Sequence, residues 1–378
     1  MSFLLKFLQD NQSKMLSELE SLVKCESPSH NKFLVNQCGQ MLLDLFKGHL
    51  GVEGEVISQE KVGNHIKFTI GKGSKKILMI GHFDTVWDVG RLPFRIEGNR
   101  AYGPGIFDMK AGLIQVLWAL KAIKEVSGDL DCKIVCFFNS DEEIGSITSR
   151  RYIESEAINS QAAFILEPSV AKTGDLKTSR KGVGICRVKI KGVAAHAGNH
   201  HEDGVSAIEE LAHQVLRLQK VTDYSKGTTV NVGIVKGGTR TNVVADEAEA
   251  EVDFRVSTQL EAQRVEEYLR TLQPKLVGTS IEITGGLNRP PMERSSGTAR
   301  LFDIAREIAI ELGFDIHEAS AGGGSDGNFV SAMGVPVLDG LGAVGDGPHA
   351  EYEHVLIDKL SERAALVAEL LLEVSQGT

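Results

Sequence analysis

The stretch that decides the fold is residues 76–88, KILMIGHFDTVWD. Residues 77–80 form a short apolar run typical of a buried β-strand, and the run ends at Gly81. His82 and Asp84 follow two residues apart, and in an extended chain such residues point to the same side. Because a ligand histidine is commonly oriented by a carboxylate, this pair is a candidate metal ligand with its orienting group. A loop histidine beside a solvated aspartate would give the same pattern.

The bulk composition narrows the class of protein. A length of 378 residues favours two domains over one. The net charge of −10 argues against binding to nucleic acid or to an anionic membrane surface. There is no run of about 18 apolar residues, so we expect no membrane-spanning helix. Five scattered cysteines and no recognisable secretion signal predict reduced thiols and a cytoplasmic location.

Acidic side chains recur where other predicted strands and loops end. Asp108 stands just ahead of a predicted helix, a position that suits either a helix N-cap or a rigidly held metal ligand. Residues 132–139 resemble a strand that leads into 141–143, DEE, where crowded charges need a cation, solvent or raised pKa values. Acids at the start of a solvated helix would give the same pattern. A further predicted strand ends at Glu167.

The order of elements predicts two kinds of sheet. Up to about residue 177, strands alternate with helices, which indicates a largely parallel sheet covered on both faces. Sites in such sheets form beyond the carboxyl ends of the strands. Apolar and charged residues then alternate, which is typical of an antiparallel sheet. We therefore predict an α/β domain at 1–179 and 291–378, with an inserted α+β domain of four strands and two helices at 180–290.

Seven candidate groups stand at strand ends or in loops, and they are two histidines and five carboxylates. They are His82, Asp84, Asp108, Glu142, Glu143, Glu167 and His349. Imidazole and carboxylate ligands suit Zn²⁺, with Co²⁺ or Mn²⁺ as alternatives. Two such ions carry four positive charges, which three carboxylates and a bridging hydroxide nearly cancel. A single zinc ion with three ligands would leave several acids unexplained, so we expect two divalent metal ions.

The sequence also carries an ordered set of motifs. They are residues 81–86 (GHFDTV), 102–112 (YGPGIFDMKAG), 141–146 (DEEIGS), 167–168 (EP), 196–198 (HAG), 324–326 (GSD) and His349. In this order they resemble the aminoacylase/glutamate carboxypeptidase family of two-zinc metallopeptidases, over nearly the whole chain. The GPGI turn is most similar to the glutamate carboxypeptidase branch, which removes glutamate from folates.

The resemblance implies a role for each metal ligand. Asp108 would bridge both ions, with a cis peptide bond directly after it. His82 and Glu167 would complete one metal site, and Glu143 and His349 the other. The resemblance therefore implies a two-metal centre made from five side chains.

The resemblance also implies roles beyond the ligands. Glu142 would be the general base, and Asp84 would orient the first ligand histidine. The inserted domain would form a homodimer and act as a lid, supplying His196 to the neighbouring active site. Three residues match positions that bind a substrate carboxylate: Asn242, Arg255 and Arg289. For Arg255, a structural ion pair within its strand is an equally good interpretation.

The implied reaction is metal-dependent hydrolysis of the amide bond to a C-terminal amino acid. A bridging hydroxide would attack the carbonyl, Glu142 would move the proton to the leaving amine, and His196 would help stabilise the oxyanion. We expect a small peptide or N-acyl amino acid as substrate, with glutamate as the first candidate for the released residue. The alternatives are an N-acyl amino acid deacylase, a dipeptidase or a non-catalytic metal-binding scaffold.

Overall fold

The structure is a computed structural model, and it describes residues 2–128 and 131–376. The described residues form two compact units, which we call the first unit and the second unit. The first unit draws its residues from 1–179, 294–320 and 325–378. The second unit consists of 180–293 and 321–324. Each unit has a hydrophobic core of its own.

The helices of the described residues mostly begin at residues suited to that position. They are α1 Phe3–Asp10, α2 Gln12–Lys24, α3 Lys32–Leu50, α4 Ala111–Ala122, α5 Arg150–Ala157, α6 Ala207–Gln219, α7 Gln259–Arg270, α8 Ser296–Leu312, α9 Gly327–Ala332 and α10 Lys359–Gln376. The side chains of Ser206, Thr258 and Ser295 cap α6, α7 and α8 by accepting a main-chain N–H three residues on. Across the described part of the chain, no helix combines the length and apolar character that a membrane span requires.

The strands are short in the first unit and long in the second. They are β1 Glu55–Ile57, β2 His65–Ile70, β3 Lys76–His82, β4 Arg95–Glu97, β5 Arg100–Tyr102, β6 Lys133–Asn139, β7 Ala162–Ile165, β8 Leu176–Arg180, β9 Gly182–Lys191, β10 Thr229–Gly237, β11 Glu247–Val256, β12 Ser280–Arg289, β13 Glu318–Ala321, β14 Val337–Leu338, β15 Gly345–Asp346 and β16 His354–Leu356. Two smaller sheets have the orders β15-β16-β5-β4 and β13-β8.

The main sheet of the first unit has the order β1-β2-β6-β3-β7-β14. Strands β6, β3, β7 and β14 pair in parallel, while β1 and β2 add an antiparallel edge. Residues 77–82 of β3 are buried without alternation, as expected for a strand covered on both faces. Helix α4 is buried almost throughout and contributes to the same core. The predicted α/β class with a largely parallel sheet is confirmed.

The second unit is built on an antiparallel sheet with the order β10-β11-β9-β12. Along β9, Cys186, Val188 and Ile190 are buried, and more exposed residues lie between them. Leu211 of α6 and Val265 of α7 belong to the same core as these strand residues. The alternation in the sequence therefore has its expected cause, since one face of the sheet is covered by two helices.

The second unit includes a stretch far along the chain, residues 321–324, that sequence patterns did not assign to it. Main-chain N–H of Lys181 donates to the carbonyl of Ala321 at 2.9 Å. The Arg180 guanidinium donates to the carbonyls of Gly323 and Gly324 at 3.2 and 3.3 Å. These bonds join segments about 140 residues apart in sequence, which explains why local patterns give no sign of them.

Candidate metal centre

The carboxyl ends of three neighbouring strands carry several predicted ligands. Strand β3 lies between β6 and β7 and runs parallel to both. β3 ends at His82, β6 leads into the helical turn Glu142–Ile144, and Glu167 follows β7. Because the carboxyl ends of parallel strands meet at one edge of the sheet, these side chains converge.

Asp108 lies between the two predicted ligand histidines. Its Oδ1 is 3.2 Å from His82 Nε2, and its Oδ2 is 3.4 Å from His349 Nε2. His349 Nε2 is also 3.2 Å from Glu143 Oε2, and His82 Nε2 is 3.5 Å from Glu167 Oε1. The structure thus brings all five predicted ligands together around one shared carboxylate. The peptide bond after Asp108 is cis, as predicted.

The adjacent acids Glu142 and Glu143 face different neighbours. Ligand atoms of His82, Asp108 and Glu143 lie within 4.8 Å of one another. Ligand atoms of His82, Glu142 and Glu167 form a second group within the same limit. The short helical turn that carries both acids separates their carboxylates, so the two can take different chemical roles.

Asp84 was expected to orient His82 through its carboxylate, but its main-chain oxygen lies closer to the imidazole. His82 Nδ1 lies 3.0 Å from the main-chain oxygen of Asp84 and 3.5 Å from its carboxylate. The carboxylate accepts hydrogen bonds from the main-chain N–H groups of Glu142 and Glu143 at 3.2 and 3.3 Å, and from the hydroxyl of Ser29 at 2.7 Å. Asp84 therefore holds both the imidazole and the turn of adjacent acids. Ser29 has no spacing or charge signal, so sequence reasoning missed it.

The acidic neighbours change the protonation of the cluster. Burial acts to lower the pKa of His82, but hydrogen bonds to Asp108 and Asp84 and the nearby acids together outweigh it, and the pKa lies well above its ordinary value. Hydrogen bonds to Asp108 and Glu143 raise the pKa of His349 to about 11. Burial raises the pKa of Glu143 to about 7. The acidic side chains of the cluster therefore favour bound positive charge, either as protons or as a cation.

The donor set suits a metal ion. Glu143 Oε1 is buried and has no hydrogen-bond partner within residues 2–128 and 131–376. A buried carboxylate oxygen without a partner is costly unless a positive charge lies beside it. Imidazole nitrogens and carboxylate oxygens are also the ligands that Zn²⁺ and similar ions take in proteins. The residues present therefore fit a divalent metal.

The second unit contains the other four predicted site residues. His196 is exposed, and its Nδ1 accepts the main-chain N–H groups of Gly198 and Asn199, both at 3.1 Å. Asn242 lies beside this loop, since its carbonyl accepts the N–H of Ala197 at 3.0 Å. This unit thus brings His196 and Asn242 together.

The two predicted carboxylate-binding arginines lie on the two strands that flank β9. Arg255 on β11 and Arg289 on β12 both pair in register with Val183 of β9. Arg289 is buried, whereas Arg255 is half-buried. The Arg255 guanidinium donates to the Asp253 carboxylate at 2.9 and 2.8 Å, so the ion pair considered as an alternative is present.

Comparisons with known proteins agree on one family. The model described as Peptidase family M20/M25/M40 matches residues 78–373. Carboxypeptidase G2 of Pseudomonas sp. (strain RS-16) is 32% identical, over 97% of this chain and 91% of that protein. Succinyl-diaminopimelate desuccinylase of Verminephrobacter eiseniae is 27% identical, over 75% of this chain and 74% of that protein.

A solved structure matches across both units. A tripeptidase from Staphylococcus aureus has a TM-score of 0.80 at 25% identity, covering 97% of this chain and 99% of that one. Together with the family match over residues 78–373, this likeness accounts for the parallel sheet of the first unit and the antiparallel sheet of the second. The chain therefore belongs to peptidase family M20/M25/M40 and is a hydrolase of the metallopeptidase class.

Proposed function

We propose that this protein is a two-metal carboxypeptidase that hydrolyses the amide bond to a C-terminal amino acid, with glutamate as the first candidate. The observation that carries the proposal is the position of Asp108, with one carboxylate oxygen near each of two histidines. The likeness to carboxypeptidase G2 over 97% of the chain supports the carboxypeptidase reaction. Zinc is the first choice of metal, because the donors are imidazoles and carboxylates.

In this proposal the ligands divide between two ions. Asp108 is shared, His82 and Glu167 hold one ion, and Glu143 and His349 hold the other. The contacts of 3.5 Å between His82 and Glu167 and of 3.2 Å between His349 and Glu143 support this division. When bound, the ions would lower the pKa of a water molecule and polarise the scissile carbonyl.

Glu142 acts as the general base. Its carboxylate accepts a proton from the attacking water and returns it to the leaving amine. Two features support this role: Glu142 lies in the group with His82 and Glu167, and its N–H is anchored on Asp84 at 3.2 Å. An anchored backbone limits the movement of the base, which favours reaction from one fixed geometry.

His196 stabilises the developing oxyanion. Its Nδ1 already accepts two main-chain N–H groups, so the neutral imidazole carries its proton on Nε2. An exposed Nε2–H is a donor suited to a carbonyl oxygen that gains negative charge. We propose that His196 serves the active site of a partner chain, with residues 180–290 acting as the dimerisation and lid domain.

The free carboxylate of the substrate is bound by Asn242, Arg255 and Arg289. Two arginines that flank one residue of β9 support a site for an anionic group. Arg255 already pairs with Asp253, so a substrate carboxylate would compete with that partner. We also propose a cytoplasmic location, which is supported by five free cysteines.

A second candidate function is deacylation of N-acyl amino acids, which the likeness to a desuccinylase favours. A substrate panel with metal-stripped protein reloaded with zinc, cobalt or manganese separates the two. We expect hydrolysis only after reloading, and faster hydrolysis of amides of C-terminal glutamate than of N-acetyl amino acids. The reverse preference would favour the deacylase. Metal binding without any hydrolysis would favour a scaffold.

A further inference from the structure

Glu353 is a fully buried carboxylate outside the set of residues predicted from the sequence. Its Oε1 accepts the main-chain N–H groups of Phe107 at 2.9 Å and Asp108 at 3.0 Å. Its Oε2 accepts the indole N–H of Trp87 at 2.6 Å and the main-chain N–H of Gly105 at 3.1 Å. A carboxylate offers about four acceptor positions, so these four donors fill it.

These bonds join three segments that carry candidate ligands. The indole donor lies in the loop that follows His82, and the three main-chain donors belong to Asp108 and to two residues shortly before it. The N–H of Glu353 donates to the carbonyl of Ala350 at 2.8 Å, within the turn that follows His349. Glu353 therefore connects the loops of both histidines with the carboxylate that lies between them.

We propose that Glu353 is a positioning residue that fixes Asp108 between the two metal sites. This inference rests on the two-metal function proposed above. Four N–H donors on one carboxylate hold it in a single position, and burial strengthens such hydrogen bonds. They hold the backbone of Asp108, so each of its oxygens faces one histidine. Partners of this kind, which contact a ligand and not the metal, commonly affect metal affinity by about 10- to 100-fold.

Glutamine has the shape of glutamate but cannot make the same contacts. Its single oxygen can accept two of the four N–H groups, and its NH₂ group would then face the other two donors. Glu353→Gln therefore disrupts the loop around Asp108 while changing little in volume. Glu351→Gln is the matched control, because Glu351 lies in the same turn, is exposed and pairs with the exposed Arg91.

The experiment measures zinc affinity by competition with a chelator, and the visible spectrum of the cobalt-loaded protein. For Glu353→Gln we expect a circular dichroism spectrum like that of the wild type, zinc binding weaker by about 10- to 100-fold and an altered cobalt spectrum. Glu351→Gln should match the wild type in both measurements. Wild-type zinc affinity and cobalt spectrum in Glu353→Gln would overturn the inference.

Trp87→Phe keeps the inference testable if Glu353→Gln does not fold. This change removes one of the four donors and keeps an aromatic ring in place. We expect a smaller loss of zinc affinity, of roughly 3- to 10-fold, the effect of one net hydrogen bond. Unchanged affinity in Trp87→Phe would overturn the inference in that case. A wild-type protein that binds no metal would instead contradict the proposed two-metal function itself.

Discussion

The two units present their candidate residues in different ways. In the first unit, His82 and Asp84 are buried at the end of a parallel strand, and neighbouring side chains hold the groups around them. In the second unit, His196 and Asn242 are exposed on loops, and Arg255 lies on an antiparallel sheet. A buried, interlocked cluster suits chemistry that needs fixed distances, whereas exposed groups suit contact with a substrate that arrives from solvent.

The largest expected effect is in the first unit, at the proposed base. Glu142→Ala should lower kcat by about 10²- to 10⁴-fold, because it removes the group that moves the proton. The metal content should stay at the wild-type value, since Glu142 is not among the proposed ligands. Steady-state kinetics and metal analysis on the same sample measure both quantities. Loss of metal from this variant would mean that Glu142 is a ligand.

The second unit should show its largest effect at His196. His196→Ala should lower kcat by about 10²- to 10³-fold, the usual loss when one oxyanion donor is removed. His201→Ala is the matched control, because His201 is an exposed histidine of the same segment and should behave as the wild type. Equal kinetics for the two variants would contradict a catalytic role for His196.

The cluster of predicted ligands in the first unit should also bind metal in a pH-dependent way. Asp108 and Glu143 raise the pKa of His349 to about 11, so its imidazole is protonated at neutral pH in the absence of metal. A metal ligand must lose that proton, so zinc affinity should rise as the pH rises. We expect about a tenfold gain per pH unit for each proton released. Zinc affinity that does not change between about pH 6 and 8 would count against this picture.

A smaller effect is expected at Arg255. Arg255→Gln should raise KM by roughly 3- to 10-fold with little change in kcat, because a half-buried hydrogen bond contributes little net free energy. Arg187→Gln is the matched control, since Arg187 also pairs with an acid of β11, at 3.3 Å from Glu251. If both variants change KM equally, the pair between Arg255 and Asp253 is structural only.

The sequence could predict the ligands because they follow strand ends. The apolar run before His82 predicted β3, and parallel strands bring their carboxyl ends together, so this histidine and Glu167 could be placed at one edge. Asp108 and His349 lie outside those strand ends: they were candidates from their places before a predicted helix and in a loop, and the family resemblance gave them their roles as ligands. Sequence patterns can therefore predict functional side chains that lie at the end of a strand.

Other contacts could not be predicted because they join distant segments. Glu353 lies 245 residues from Asp108, and a single acid in a turn has no periodicity or spacing that marks it. The contact of His82 with the main-chain oxygen of Asp84, at 3.0 Å, depends on how one loop turns. Sequence patterns predict which residue types meet, but the atoms that touch depend on packing.

The central claim is that one carboxylate is shared by two metal ions. The most direct test is the number of zinc ions bound per chain in the wild type and in Asp108→Asn, measured by elemental analysis after equilibrium dialysis. We predict two ions per wild-type chain and a loss at both sites in Asp108→Asn. An Asp108→Asn chain that keeps two tightly bound ions, or an active wild-type chain that binds only one, would contradict the account.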